Sequence, residues 1–194
     1  GIKNIEYIQA DLEDFSKLKY SFDIIEVMGV LHHTNAPVEN WQKLTRLLKS
    51  GGIMRVGLYS TLARKPILKY RERFFEKNKD YSVKELLDAR KAIIGSQKNG
   101  LERIICSSDF FSTSGFRDLL FHSHETTFSI QEIKGSLEKL KLEFCGFDGM
   151  REKNKFLEAG FTTSELYDLD AWDSFEKNFE DTFANMYQFW CQKI

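Results

Sequence analysis

The stretch Phe22-Asp23-Ile24-Ile25-Glu26-Val27-Met28-Gly29-Val30-Leu31-His32-His33 constrains this chain more than any other. The near-continuous apolar run through Ile24, Ile25 and Val27 reads as a strand over Ser21–Met28 covered on both faces. Gly29 then lets the backbone approach a ligand closely. Asn35-Ala36-Pro37 opens a helix with proline at or near its first position. Val38, Trp41, Leu44, Thr45 and Leu48 recur at helical spacing, so that face packs on the sheet. Lys49-Ser50-Gly51-Gly52 reads as a basic last turn and a glycine cap, and Ile53–Tyr59 as the next strand. Strand, helix, strand at this spacing is one βαβ unit of a parallel sheet. Ligands of such sheets sit at the loop after the first strand.

The same patterning places the other elements. Ile5-Glu6-Tyr7-Ile8-Gln9-Ala10 reads as a short strand ending at Asp11. Asp11 either accepts hydrogen bonds from a ligand at the sheet's carboxyl edge or caps the turn Leu12–Phe15. Residues 61–127 are too long for a plain strand-to-helix connection. They hold a basic helix over Arg64–Lys79 and a helix after the capping box Ser82-Val83-Lys84-Glu85, on the face Val83, Leu86, Leu87, Arg90 and Ile94. Gly95–Gly100 breaks that helix, and Ser107–Ser114 is a loop before a short helix over Gly115–Phe121. A second capping box, Ser129-Ile130-Gln131-Glu132, opens a helix through Ile133, Leu137 and Leu140, with Phe128 and Ile133 as a hydrophobic staple. A strand over Leu142–Phe147, helices over Lys153–Gly160 and Glu165–Phe179, and a closing strand over Met186–Gln192 complete the chain.

Composition bounds the class. With 194 residues the chain is read as one domain, 1–194, and 42% hydrophobic with 29% charged residues is globular. A net charge of −1 argues against a general nucleic-acid or anionic-membrane surface. The three cysteines, Cys106, Cys145 and Cys191, are odd in number and widely spaced, which is neither a disulfide framework nor a zinc motif. They read as reduced, buried thiols of a cytoplasmic protein. No apolar run approaches the ~18 residues of a membrane span, and no signal-peptide pattern opens the chain.

The stretch Phe22–His33, followed by Leu48-Lys49-Ser50-Gly51-Gly52-Ile53, resembles the fourth-strand and fifth-strand motifs of class I S-adenosylmethionine-dependent methyltransferases. Tyr7-Ile8-Gln9-Ala10-Asp11-Leu12 looks like the third strand with its adenine-contacting acid. Asp109–His122 resembles a stretch of bacterial methyltransferases often fused to tetratricopeptide repeats, and Phe183–Lys193 is similar to their closing strand. The resemblance implies an α/β fold: strands three to seven of an incomplete Rossmann-like sheet, with 61–127 as a helical insertion or lid. That insertion either shapes an acceptor pocket or merely covers the sheet.

The family's Gly-rich loop has no counterpart, since no Gly-x-Gly-x-Gly occurs in the chain. The sequence therefore reads as the C-terminal part of such a domain, its first βαβα segment missing. The implied cofactor is S-adenosyl-L-methionine, with Asp11, Leu12, Met28 and Gly29 on the cofactor side. His33 and His32 are the candidate catalytic residues. Arg117 and His122 are acceptor-side candidates, although Arg117-Asp118 can equally pair locally and His33 can be structural. His122, His124 and Glu125 lack metal-ligand spacing, so no metal is expected.

Two functions follow. One is S-adenosylmethionine-dependent methyl transfer to a small-molecule or protein acceptor. The other is a Rossmann-like interaction or assembly module that no longer binds cofactor. An unpaired central strand also implies that the third strand slides in beside it, or that a homodimer forms through the exposed sheet edge.

Overall fold

The computed structural model describes residues 3–74, 76, 79–96 and 102–194. In chain order the elements are β1 (Phe22–Met28), α1 (Pro37–Leu47), β2 (Leu48–Leu58), α2 (Thr61–Phe74), α3 (Val83–Gly95), α4 (Glu102–Ile105), α5 (Thr113–Phe121), α6 (Ile130–Leu140), β3 (Leu142–Phe147), α7 (Met150–Glu158), α8 (Leu169–Asn178) and β4 (Tyr187–Lys193). Short 3₁₀ turns occupy Leu12–Lys17, Leu31–His33, Ser108–Phe110 and Ser164–Tyr167.

The four strands lie in the order β1-β2-β4-β3. β1 and β2 run parallel, as the strand-helix-strand unit requires, and β4 is antiparallel to both β2 and β3. The last strand therefore inserts between the second and third.

One face of this sheet carries the main core. Val27, Met54, Val56, Tyr187, Phe189 and Cys191 alternate toward it and are buried with Trp41 of α1, Ile133 of α6 and Trp172 of α8. On the other face Ile24 pairs with Ile53, and Glu26 with Arg55 beside Trp190. That face is open enough to leave Ile24 54% exposed. The expectation of a strand covered on both faces is thus corrected. β1 is an edge strand, and its apolar run is buried on one side only.

Ile5–Ala10 forms no strand, and each of its residues is exposed, Tyr7 at 90%. The sheet consequently holds four strands among the described residues, not the five of strands three to seven. Alternation supplied the β pattern for Ile5–Ala10, but no described edge pairs with it. β1 likewise keeps its outer edge unpaired by that segment.

Two boundaries also move. The helix after Pro37 ends at Leu47, and Leu48-Lys49-Ser50 already belongs to β2. Gly51, at φ +73°, sits inside a strand as an irregularity rather than as a helix cap. Glu165–Phe179 is two elements: Asp168 ends the 3₁₀ turn and its carboxylate accepts the Asp170 amide, starting α8 afresh. The capping boxes at Ser82 and Ser129 both form, each serine accepting from the third helical amide and each glutamate answering it. Phe128 and Ile133 are both buried in the main core. Of the cysteines only Cys191 is buried, while Cys106 and Cys145 are exposed, which corrects the reading of three buried thiols.

Residues 61–127 build a layer of their own. Ile67, Tyr81, Leu86, Ile93, Phe110 and Phe116 bury one another in a second core separate from the first. Positions 97–100, part of the expected helix break, lie outside the described residues. The two ends of this segment meet: Ser60 and Phe128 form a parallel bridge, Thr61 N donates to Phe128 O, and Phe128 N donates to Tyr59 O. The segment therefore leaves and re-enters the sheet at one point, the carboxyl end of β2.

Candidate functional site

Gly29 ends β1 at φ +71°, a conformation that favours glycine. A Cβ there would meet only the Met186 methyl, at 3.9 Å. The chain then turns through Leu31–His33, with Leu31 fully buried as its anchor and Thr34 Oγ1 donating to Leu31 O at 2.7 Å. This turn delivers both histidines to the seam between the sheet and the insertion.

His32 is fully buried and its ring stacks on Tyr59, centroids 3.9 Å apart. Among the described residues neither ring nitrogen has a hydrogen-bond partner of good geometry. Burial pushes its pKa down to about 3, helped by His33 and Arg64, while the Gly57 carbonyl acts weakly the other way. The ring is therefore neutral at pH 7. His33 lies 3.8 Å from the His122 ring, and the Nδ1 atoms of both lie within 3.0 Å of His124 O. Burial also lowers the His33 pKa, and the His124 carbonyl opposes it.

Tyr59 is held on its other side by Arg64, whose guanidinium carbon stands 3.8 Å from the ring centre. Burial raises the Tyr59 pKa, so the phenol keeps its proton. Arg64 bonds Glu125 through Nε at 2.9 Å and through NH2 at 2.8 Å, and Arg71 reaches the same carboxylate at 3.2 Å. Arg71 also donates to His122 O and Arg64 to Leu119 O. Thr126 N closes the seam on His32 O at 2.8 Å.

Tyr59 and Arg64 form part of the wall of a cleft of about 870 Å³. Its other walls are α2 (Ala63, Ile67), the loop at Cys106 and Ser107, the end of β3 (Phe147, Asp148) and the segment Asp181–Gln188. The cleft thus opens at the sheet's carboxyl edge, between sheet and insertion. Beneath it Ser60 Oγ donates to Glu176 Oε1 at 2.5 Å and Tyr187 OH donates to the same carboxylate at 2.7 Å. Burial raises the Glu176 pKa, and these two donors oppose it.

The expected site residues divide. His32, His33 and His122 come together, although the first two stand about ninety residues from the third in the chain. Arg117 does not join them; it donates to Asp80 at 3.2 Å and to Tyr81 O at 2.6 Å, partners more than thirty-five residues away rather than the neighbouring Asp118. Asp11 is exposed and its carbonyl accepts the Asp14 amide, as a turn residue does. Leu12 lines a separate apolar hollow beside β1 with Phe15, Ile25 and Val30. Neither hollow has Asp11, Met28 or Gly29 in its walls. Gly29 leaves room for a group to approach. Among the described residues no group of three His, Cys, Asp or Glu side chains can hold a metal ion. No described helix is long and apolar enough to cross a membrane.

Sequence reasoning missed Tyr59, Arg64, Arg71, Glu125 and Glu176. A signal existed for the arginines, which stand seven apart on one helical face. Nothing local marks their shared partner.

Residues 1–56 match a family described as a methyltransferase domain. An uncharacterized protein of Synechococcus sp. is 26% identical over 152 residues, covering 74% of this chain and 36% of its own length. PKMT2 from Rickettsia typhi, solved in complex with AdoHcy, aligns with a TM-score of 0.54 and 17% identity over 98% of this chain and 38% of that one. A second structure of PKMT2 gives 0.56 and 16% over 92% and 37%. The chain therefore spans under two fifths of each relative. Its mixed four-stranded sheet has the fold of part of PKMT2, and its first 56 residues are similar to a methyltransferase domain.

Proposed function

We propose that this chain is part of a class I S-adenosylmethionine-dependent methyltransferase and that it supplies the acceptor side of the site. The observation that carries the reading is the cleft at the carboxyl edge of β2. One wall is the sheet whose strand motif resembles the family, and the other is the insertion. Its volume of about 870 Å³ suits a small molecule or a side chain of a protein acceptor. The sulfonium donor brings an already activated methyl group. The protein's part is then to orient the acceptor and exclude water. Tyr59, clamped between His32 and Arg64, gives the cleft a rigid wall. His33, neutral at pH 7, stands one ring behind it, in T-shaped contact with Tyr59 at 5.6 Å.

A second reading has its own support. Asp11 is exposed, and neither hollow has Asp11, Met28 or Gly29 in its walls. A Rossmann-like assembly module that binds no cofactor fits those facts. Calorimetric titration with S-adenosylhomocysteine separates the two. A saturable heat below millimolar ligand supports the first reading for this chain, and a flat titration supports the second.

A further inference from the structure

We propose that the Met186 side chain is a gate between the acceptor cleft and the Gly29 end of β1, a positioning residue whose role rests on the methyltransferase reading.

Two glycines prepare the place. Gly29 follows β1, Gly57 lies one residue from the end of β2, and Met28 pairs with Gly57 across the parallel ladder. With no side chain on either glycine, the two strand ends leave bare backbone at the sheet's carboxyl edge. Ligands of parallel sheets approach at such an edge.

Methionines cover this backbone. A Cβ on Gly57 would stand 2.9 Å from both Met186 Sδ and Met28 Cε, and a Cβ on Gly29 would meet the Met186 methyl at 3.9 Å. The Met186 thioether therefore spans from one glycine to the other, sulfur over Gly57 and methyl toward Gly29. The same residue lines the cleft beside Tyr59 and Phe147, whereas Gly29 lies outside the cleft walls. One side chain thus has the cleft on one side and the Gly29 backbone on the other.

That position matters for transfer. Reacting atoms must come within about 3–3.5 Å of each other. No thioether fits between groups at that distance. A donor seated against Gly29 meets an acceptor in the cleft only when the Met186 side chain turns aside. The residue type suits this movement. Methionine is unbranched, with three rotatable bonds. Met186 is half-buried and belongs to neither core, so turning it unpacks little.

Methionine-methyl NMR of the whole chain, run beside calorimetry with S-adenosylhomocysteine as the probe, tests the gate. The chain has four methionines. The Met186 and Met28 methyl signals are expected to move and to saturate with the heat. Met54, fully buried, and Met150, 68% exposed, serve as unmoved references. Met186→Ala clears the passage and is expected to bind the probe at least about threefold more tightly, because the wild type must first displace the side chain. Met186→Leu keeps the bulk and is expected to bind no more tightly than wild type. A saturable heat with an unmoved Met186 methyl overturns the gate alone, and so does a folded Met186→Ala that binds no more tightly than wild type. Should that variant fail to fold, the wild-type methyl signal decides. Flat titrations of wild type and Met186→Ala alike overturn the cofactor reading for this chain, and the gate with it.

Discussion

Arg64 and Glu125 are sixty-one residues apart in sequence, yet they share two charge-assisted hydrogen bonds of 2.9 and 2.8 Å with side chains 4% and 2% exposed. Arg71 completes the group from the next turns of the same helix. Burying three charges is tolerable here because each has a partner and the guanidiniums also donate to Leu119 O and His122 O.

Removing the shared acceptor leaves two buried cations uncompensated. Glu125→Ala is expected to destabilise the insertion by about 3–5 kcal/mol. Urea unfolding followed by NMR signals from the second core reads this directly. A loss under about 1 kcal/mol would show that water reaches the arginines in the folded chain.

His32 has a buried ring with no hydrogen bond of good geometry among the described residues. Its ordinary pKa of 6.5 falls to about 3 on burial, so the unfolded chain binds a proton that the folded chain refuses. Its part in stability is fully present above pH 6.5 and is lost as pH falls toward about 3, by about 1.4 kcal/mol per unit. His32→Phe keeps the stack on Tyr59 and removes the titration. The expected outcome is near-neutral stability at pH 7 and a shallower acid limb than wild type in paired denaturation curves.

Gly57 lies where Met28 and Met186 cross the sheet edge. A Cβ there would stand 2.9 Å from Met186 Sδ and Met28 Cε, and 3.2 Å from the Gly29 amide nitrogen. Gly57→Ala should cost about 1–3 kcal/mol through overpacking. Met186→Ala on that background should recover part of the loss. A double-mutant cycle of melting temperatures checks it, and strict additivity would refute the contact.

Tyr187 and Ser60 both donate to the buried Glu176 carboxylate. Tyr187→Phe removes one donor and is expected to cost about 1–3 kcal/mol at pH 7. It should also raise the Glu176 pKa further, since that hydrogen bond lowers it. Stability from this carboxyl, whose pKa the fold raises, then declines as pH rises rather than as it falls. Comparing denaturation at pH 5 and pH 8 measures the sign.

β1 leaves Phe22 and Ile24 exposed on a strand at the sheet's edge. Such an edge invites pairing with another chain. Light scattering across the micromolar range is expected to show concentration-dependent association that Ile24→Lys suppresses. Equal masses for wild type and variant at every concentration would exclude this edge as the contact.

Much of the fold was legible locally, and for physical reasons. The parallel unit from β1 to β2 followed from apolar runs around a periodic helix, because the period of side chains is a property of the backbone. Ser82 with Glu85 and Ser129 with Glu132 formed as read, since a capping box closes within one turn and needs no distant partner. Alternation around Tyr187, Phe189 and Cys191 marked β4 for the same reason, although its place between β2 and β3 is a matter of topology.

The sequence alone determined which segments want to be helix or strand, and that His32 and His33 follow a strand. Tertiary structure decided the rest. Ile5–Ala10 has the strand pattern yet does not pair with the open edge of β1, because alternation sets a strand's period and not its partner. Ile24 is apolar yet exposed, because burial depends on what covers a face and not on the residue. Glu125 and Arg64 became partners only when the ends of the insertion met at Ser60 and Phe128. His33 and His122 became one feature through the same closure. Pairings of this kind cross the chain at long range, and no local period records them.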